Sequence, residues 1–377
     1  MDKKVTIILA NYNKQDFLNV SLDSIVGQSR FDEMEVIIVD DGSKDESVNI
    51  IKEYQEKYQN ITLVSFMKGS GGPSKPRNTA LDMVTTKYFI IMDPDDKVIN
   101  DGYSTLLTNI EKHDSDILIA VGVAVDKYGK ERFVDYIEKH PYTNSNDQGI
   151  KLDLLMQRPF IVKNIYSTAL VNNNNIRFEE KLSTSEDEIF SMECVAHANK
   201  ITKINDIVYQ CFYEAEGSVT TKVALKIYEE LPDIMHGIER VLKPMFSQEI
   251  ISARIVGLLA NFYIRKISFF TNEEDVRIAC DLVYDACEKY GFEKLEQVYA
   301  RDAMDLVGFI KDKHFVKAIA RHYRKNLNQS NRQLRAYVTE LRVEKRRNLF
   351  LRRTRRRRLI RLASKISRFK KRLIARV

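Results

Sequence analysis

Apolar residues in the first half of the chain fall into short unbroken runs separated by segments of helical spacing. Val5–Ala10 reads as a buried strand broken by Asn11-Tyr12-Asn13-Lys14, and a helical pattern follows from Asp16 to Gln28. Glu35–Val39 predicts a second strand that ends on Asp40-Asp41-Gly42-Ser43, with Ser43 or Asp45 available to cap a helix over Glu46–Tyr58. Thr62–Phe66 and Phe89–Met92 predict further strands, Asp101–His113 a helix and Asp116–Val125 another strand. A hairpin is expected near Tyr128-Gly129-Lys130 and a helix-like segment over Ser167–Val171. An amphipathic helix then opens at Thr184-Ser185-Glu186-Asp187-Glu188, with Ser183, Thr184 or Ser185 as its cap, and runs to His197. Strands over Ile201–Ile204 and Ile207–Tyr213 follow. Strands alternating with helices of this length imply a largely parallel sheet covered on both faces, whose ligands bind beyond the carboxyl ends of the strands.

From Lys222 to Glu344 the pattern changes to long helical segments, Leu225–Leu242, Gln248–Phe270, Glu273–Tyr290 and Ala303–Asn328. The expected organisation is therefore an α/β domain over 1–221, a helical domain over 222–344 serving as an oligomer interface or acceptor platform, and a tail over 345–377. The helical segments carry no catalytic constellation, since His236, His314 and His322 have no companion at metal-ligand spacing. Charge is what sets the tail apart. It holds 16 Lys or Arg and no acid, whereas the rest of the chain has 44 basic residues against 53 acidic. Leu359, Leu362, Ala363, Ile366, Phe369, Leu373, Ile374 and Val377 share one helical face of it, the signature of an interfacial helix on an anionic leaflet. That apolar stripe argues against a nucleic-acid arm. No run is long enough to span a bilayer, because Ile255–Ile264 is cut by Asn261 and followed by Arg265 and Lys266. Cys194, Cys211, Cys280 and Cys287 show no ligand spacing, as in a reduced, cytosolic protein with peripheral membrane contact.

Three clusters carry candidate chemistry. Asp93-Pro94-Asp95-Asp96 gathers three carboxylates at a strand end, a placement that suits a divalent cation such as magnesium or manganese together with a diphosphate; a solvated acidic turn is the alternative. Lys68-Gly69-Ser70-Gly71-Gly72-Pro73-Ser74-Lys75-Pro76-Arg77-Asn78 is a glycine-rich loop leading into a helix over Thr79–Met83, and its amides, Lys75 and Arg77 can receive an anion. Glu186-Asp187-Glu188 in a first helical turn is favoured by the helix dipole alone, and the same acids could equally serve as a base.

Taken together, these segments resemble the family-2 inverting glycosyltransferases of GT-A fold, and among them the bacterial wall teichoic acid sugar (N-acetylglucosaminyl) transferases. The resemblance covers residues 5–221. Val5–Asn13 and Ile37–Ser43 are similar to the family's first two strands and nucleotide-binding turns, and Ser70–Asn78 to the teichoic acid branch. Met92-Asp93-Pro94-Asp95-Asp96 is similar to the DxD motif, and Ser185–Phe190 to the ED motif that holds the catalytic base. The resemblance implies a nucleotide-sugar site in which Ala10 and Tyr12 line the uracil, Asp41 accepts from its imide, and Gly69, Arg77 and Asp93 lie along the donor. It also implies that Asp95 and Asp96 hold the metal and that Asp187 is the general base beside Glu186. Ala10 and Gly69 stand where the family usually has proline and asparagine. Glu214–Thr221 lacks the family's basic residue and histidine, a gap that Lys222 could fill.

The implied activity is transfer of a sugar from a UDP-sugar (GlcNAc, Glc or Gal) to a teichoic acid, a capsular polysaccharide or a lipid-linked precursor, with inversion. A single displacement with one base and no carboxylate nucleophile inverts the anomeric centre. A protein or glycolipid acceptor is the nearer rival, and a non-catalytic adaptor that binds anionic membrane or nucleic acid the more distant one.

Overall fold

The apolar runs become strands β1 (Val5–Asn11), β2 (Met34–Asp40), β3 (Ile61–Ser65) and β4 (Tyr88–Met92); β4 is buried throughout, β1 and β2 at all but Ala10 and Glu35, and β3 only at Ile61. These four are mutually parallel, with helices α1 (Gln15–Val26), α2 (Ser47–Lys57) and α3 (Ser74–Met83) in the connections. Two-sided burial explains why β1, β2 and β4 read as continuous hydrophobic runs and not as alternating ones. The computed structural model describes residues 2–125, 131–133, 141–156, 161–212, 225–267, 270 and 273–290.

Beyond α3 come β5 (Lys97–Val98), α4 (Gly102–His113), β6 (Ile117–Val125), β7 (Glu131–Phe133), α5 (Gln148–Met156), β8 (Asn164–Ser167), α6 (Thr168–Asn173), α7 (Glu186–His197) and β9 (Ile201–Phe212). The sheet order is β3-β2-β1-β4-β8-β6-β9-β5, with β7 on β6. β8 lies antiparallel between β4 and β6, while β9 runs parallel to β6, so the sheet is mixed. Register positions the site. Asn11 pairs with Asp40 and Leu9 with Met92, so Tyr12, Asp41 and Asp93 all emerge from the same edge of the sheet.

Two local expectations are corrected, and two strands are added. α3 begins at Ser74, five residues before Thr79, because a proline is tolerated in a first turn; the Arg77 amide donates to the Pro73 carbonyl, which puts Lys75 and Arg77 on the helix. The two strands expected over 201–213 are one, and Asn205-Asp206 sits at a register shift against β6 instead of in a turn. β5 and β8 are too short and too polar to have been read from pattern.

Helix α4 approaches β9 closely. A β-carbon at Gly102 would lie 2.4 Å from the Val208 carbonyl oxygen, a backbone atom that cannot yield. Gly102→Ala is therefore expected to destabilise the protein by about 2–3 kcal/mol, measured by urea denaturation. Gly237→Ala meets only the tip of Ile189, which a rotamer change can clear. It is the control, expected to cost less than about 1 kcal/mol.

By its contacts the chain divides into units of residues 1–254 and 255–377. The first runs past the boundary expected at 221, because α8 (Lys226–Glu229) and α9 (Leu231–Leu242) follow it and α9 packs against α7. There Arg240 bridges Glu179 and Glu193. α10 (Gln248–Leu258) leads into the second unit, whose described part holds a π-helical turn (Leu259–Ile264), α11 (Arg265–Ile267) and α12 (Glu273–Tyr290). Cys194, Cys280 and Cys287 are buried, and none of the four cysteines forms a disulfide. Among the described residues no helix is long and apolar enough to cross a membrane. The hairpin at 128–130, the loop 214–221 with Lys222, the helix 303–328 and the basic tail 345–377 lie outside the described residues.

Candidate active site

At the carboxyl ends of β1 and β2, the Asn11 amide donates to Asp40 at 2.7 Å and to the Ser43 hydroxyl at 3.2 Å, which fixes the two turns against each other. Asp41 is buried. Its carboxylate accepts from the Ser70 amide at 2.8 Å and the Ser70 hydroxyl at 3.0 Å. A side chain at Gly69 would meet the Asp41 carbonyl at 3.1 Å and stand 4.0 Å from the Tyr12 ring, while Gly42, at φ +76°, brings its own backbone against Gly69. Tyr12, Asp41 and Gly69 thus share one recess, and Ala10, two residues before Tyr12, is the half-buried position of β1. Tyr12 is 52% exposed, leaving its ring open for a planar group to stack on.

Next to this recess, Arg77 joins the two acidic motifs. Its guanidinium donates to Asp93 at 2.9 Å and to Glu186 at 3.0 Å, and it lies 5.2 Å from the centre of the Phe178 ring. Phe178 in turn stacks on Phe190 of α7 at 4.1 Å. Asn78, one residue on, closes the same junction by donating to the Phe178 carbonyl and accepting from its amide. Burial would lower the basicity of Arg77, but Asp93, Glu186 and Asp187 together outweigh it and raise it. Burial raises Asp93 as well, with Arg77 opposing and Asp95 and Asp187 adding to the rise.

The three acids of that segment differ in setting. Asp95 is partly exposed and held by the Lys14 ammonium at 2.5 Å. Asp96 is buried, and its two oxygens accept from the Tyr209 hydroxyl at 2.8 Å and the Phe212 amide at 3.1 Å, which ties the segment to β9. Burial, with Asp93 and Asp95 nearby, raises its carboxyl well above the usual range. Among the described residues no three His, Cys, Asp or Glu side chains converge so as to hold a metal by themselves.

The acids of α7 are sorted in the same way. Glu188 is fully buried against Arg254, which also donates to the Leu155 carbonyl. Asp187 is partly exposed and accepts from the Glu188 amide at 2.8 Å. Ser185 caps the helix with φ 61° but makes no side-chain capping bond, and Ser183 donates to Glu230 through both amide and hydroxyl. Burial first and Asp187 second, against the pull of Arg77, push Glu186 from 4.5 up to about 7. Between those values the folded chain keeps a proton that the unfolded chain has released, so stability falls as pH rises through this window, by roughly 3 kcal/mol for this group. Glu186→Gln is expected to flatten that part of the stability profile, leaving the same-signed slope of Asp93 and Asp96, as read by denaturant midpoints from pH 4 to 8.

Sequence reasoning missed Lys14, Ser70, Phe178, Tyr209, Glu230 and Arg254. Their partners lie far away in sequence, so no short-range spacing signals them. Residues 6–161 match the model described as Glycosyl transferase family 2. They form a family 2 glycosyltransferase domain. The chain is 27% identical over 270 residues to a poly(ribitol-phosphate) beta-glucosyltransferase of Bacillus spizizenii, covering 71% of this chain and 40% of that one. It is equally similar to the poly(ribitol-phosphate) beta-N-acetylglucosaminyltransferase TarS of Staphylococcus aureus, 27% identical over 71% of this chain and 44% of the relative. The chain thus spans less than half the length of these curated relatives. Among solved structures, S. aureus TarS 1-349 in complex with UDP-GlcNAc superposes with a TM-score of 0.67 at 22% identity, over 86% of this chain and 92% of that one. The glycosyltransferase domain accordingly has a GT-A-like mixed sheet.

Proposed function

We propose that the protein transfers a sugar, with inversion, from a UDP-sugar to a polyol-phosphate polymer of the teichoic acid type or its lipid-linked precursor. The observation that carries the proposal is Arg77, which joins Asp93 of the DxD segment to Glu186 of the ED helix beside the Tyr12–Asp41–Gly69 recess. Uracil stacks on Tyr12 and its imide is read by Asp41. Asp93, held by Arg77, orients the donor, and Asp187 takes the proton of the acceptor hydroxyl. The relatives named as poly(ribitol-phosphate) transferases support this acceptor class.

A divalent cation fits this donor set, because hard ions use one or two carboxylates plus substrate phosphates and Asp95 is a partly exposed carboxylate already paired with a cation. Asp95 would hold it, whereas Asp96, engaged by Tyr209 and Phe212, anchors the segment. When bound, the ion supplies charge neutralisation at the departing diphosphate.

The test is UDP release from a panel of UDP-sugars with poly(ribitol phosphate) or poly(glycerol phosphate) as acceptor. Acceptor-dependent release with one donor is expected, falling by about 10²-fold or more in Asp95→Ala. No release from any pair, together with no binding of UDP and manganese, would overturn the proposal.

A further inference from the structure

We infer that Lys14 is a place-holding cation that guards Asp95 until the divalent ion arrives and then clamps the β-phosphate of the nucleotide; the inference rests on the donor site proposed above. Three observations converge on it. The Lys14 ammonium stands 2.5 Å from Asp95 Oδ2, with both side chains about three-quarters buried at 24% and 21% exposure. Its backbone is fixed: the amide donates to Ser47 at 3.0 Å, the carbonyl accepts from Phe17 and Leu18, and the flanking Asn13 and Gln15 amides are held by Ser43 and Asp45. Lys14 therefore moves only through its flexible stem. Among the described residues, the other basic groups raised as phosphate donors are engaged elsewhere, Arg77 between Asp93 and Glu186, and Lys75 with its ammonium 5.7 Å from the centre of the Phe66 ring.

Position then decides where a released ammonium goes. Lys14 belongs to the turn that presents Tyr12, yet it touches Asp95 from the cation-binding segment, so it lies along the path between uracil and metal. A diphosphate must follow that same path. A divalent ion at ligand distance from the same carboxylate would repel the Lys14 ammonium on Oδ2, which favours release of Lys14 when the ion binds. The freed group then meets a phosphate with which it makes a charge-assisted hydrogen bond.

Calorimetry on the full chain tests both halves, with Mn²⁺ alone, UDP plus Mn²⁺, and UMP plus Mn²⁺ as probes. In Lys14→Met, Mn²⁺ alone should bind about threefold more tightly, because a competitor is gone. UDP should bind about tenfold more weakly while UMP, which lacks the β-phosphate, stays within about twofold. Lys14→Arg, which keeps the charge, should retain UDP affinity. Equal losses for UDP and UMP, or no loss for either, would overturn the clamp, and unchanged Mn²⁺ affinity would overturn the place-holder. A wild-type chain that fails to bind UDP with Mn²⁺ defeats the donor site itself and this inference with it, whereas normal UDP binding by both wild type and Lys14→Met defeats the inference alone.

Discussion

Asp187→Ala is expected to lower kcat by about 10³-fold while UDP affinity in the presence of Mn²⁺ stays within about twofold. The expectation follows from how α7 sorts its three acids. Glu186 is buried under Arg77 and Glu188 is sealed against Arg254, so each is committed to a guanidinium inside the protein. Asp187 alone of the three is partly exposed, and its charge reaches Asp93 and Arg77 on the donor side. A group that acts only on the acceptor proton contributes to the transition state and not to donor binding, so the effect falls on kcat. Asp187→Asn keeps the shape and the bond from the Glu188 amide yet has no basicity, and should be as slow as the alanine variant. Steady-state rates of UDP release together with calorimetry of UDP separate the two readouts. A loss smaller than about tenfold in either variant would remove Asp187 from the base position and leave the proton to another group.

Much of this arrangement was legible in the chain because it is local. The strands at Val5, Glu35 and Phe89 are continuous apolar runs, which is what burial on both faces of a sheet produces, and Glu273–Tyr290 emerges as α12 with those same ends. Tyr12, Asp41 and Asp93 were named from motifs, and the parallel register of β1 with β2 and β4 brings all three to one edge. What stayed illegible depends on contacts across the fold. Arg77 read as a phosphate donor in a loop, but Pro76 is accommodated in the first turn of α3, and that turn aims Arg77 at a carboxylate 109 residues away. Asp95 and Asp96 look equivalent in sequence and differ because Tyr209 and Phe212, on a strand more than a hundred residues on, take Asp96 while Lys14 pairs with Asp95. No periodicity encodes such a choice.

Arg77→Met should destabilise the protein by about 3–5 kcal/mol, the largest stability loss expected of any single substitution at the site. Methionine can replace the stem of the arginine and much of its packing on Phe178, so the loss isolates the guanidinium. Without it, Asp93 loses the cation that draws its carboxyl down, and Glu186 is left buried beside Asp187. Protonation is the relief left to buried Glu186, already held above the ordinary carboxylate value, whereas Asp93, with its side chain 41% exposed, can also turn to water. Because Glu186, already pushed up to about 7, holds its proton at pH 5 and must ionise without a partner by pH 8, the deficit should grow with pH. Neutral partners supply the second arm of the test. Asp93→Asn with Glu186→Gln in the Arg77→Met background removes the stranded charges and should recover about half of the loss or more, because it is the unpaired charge that is costly and not the missing salt bridge. Lys at position 77 carries the charge but lacks the planar fork that reaches Asp93 and Glu186 together, so Arg77→Lys should fall between wild type and Arg77→Met. Urea midpoints for the four chains at the two pH values decide the matter. A deficit independent of pH, or one that the neutral pair leaves untouched, would show that Arg77 acts through packing and does not hold the two acidic motifs together.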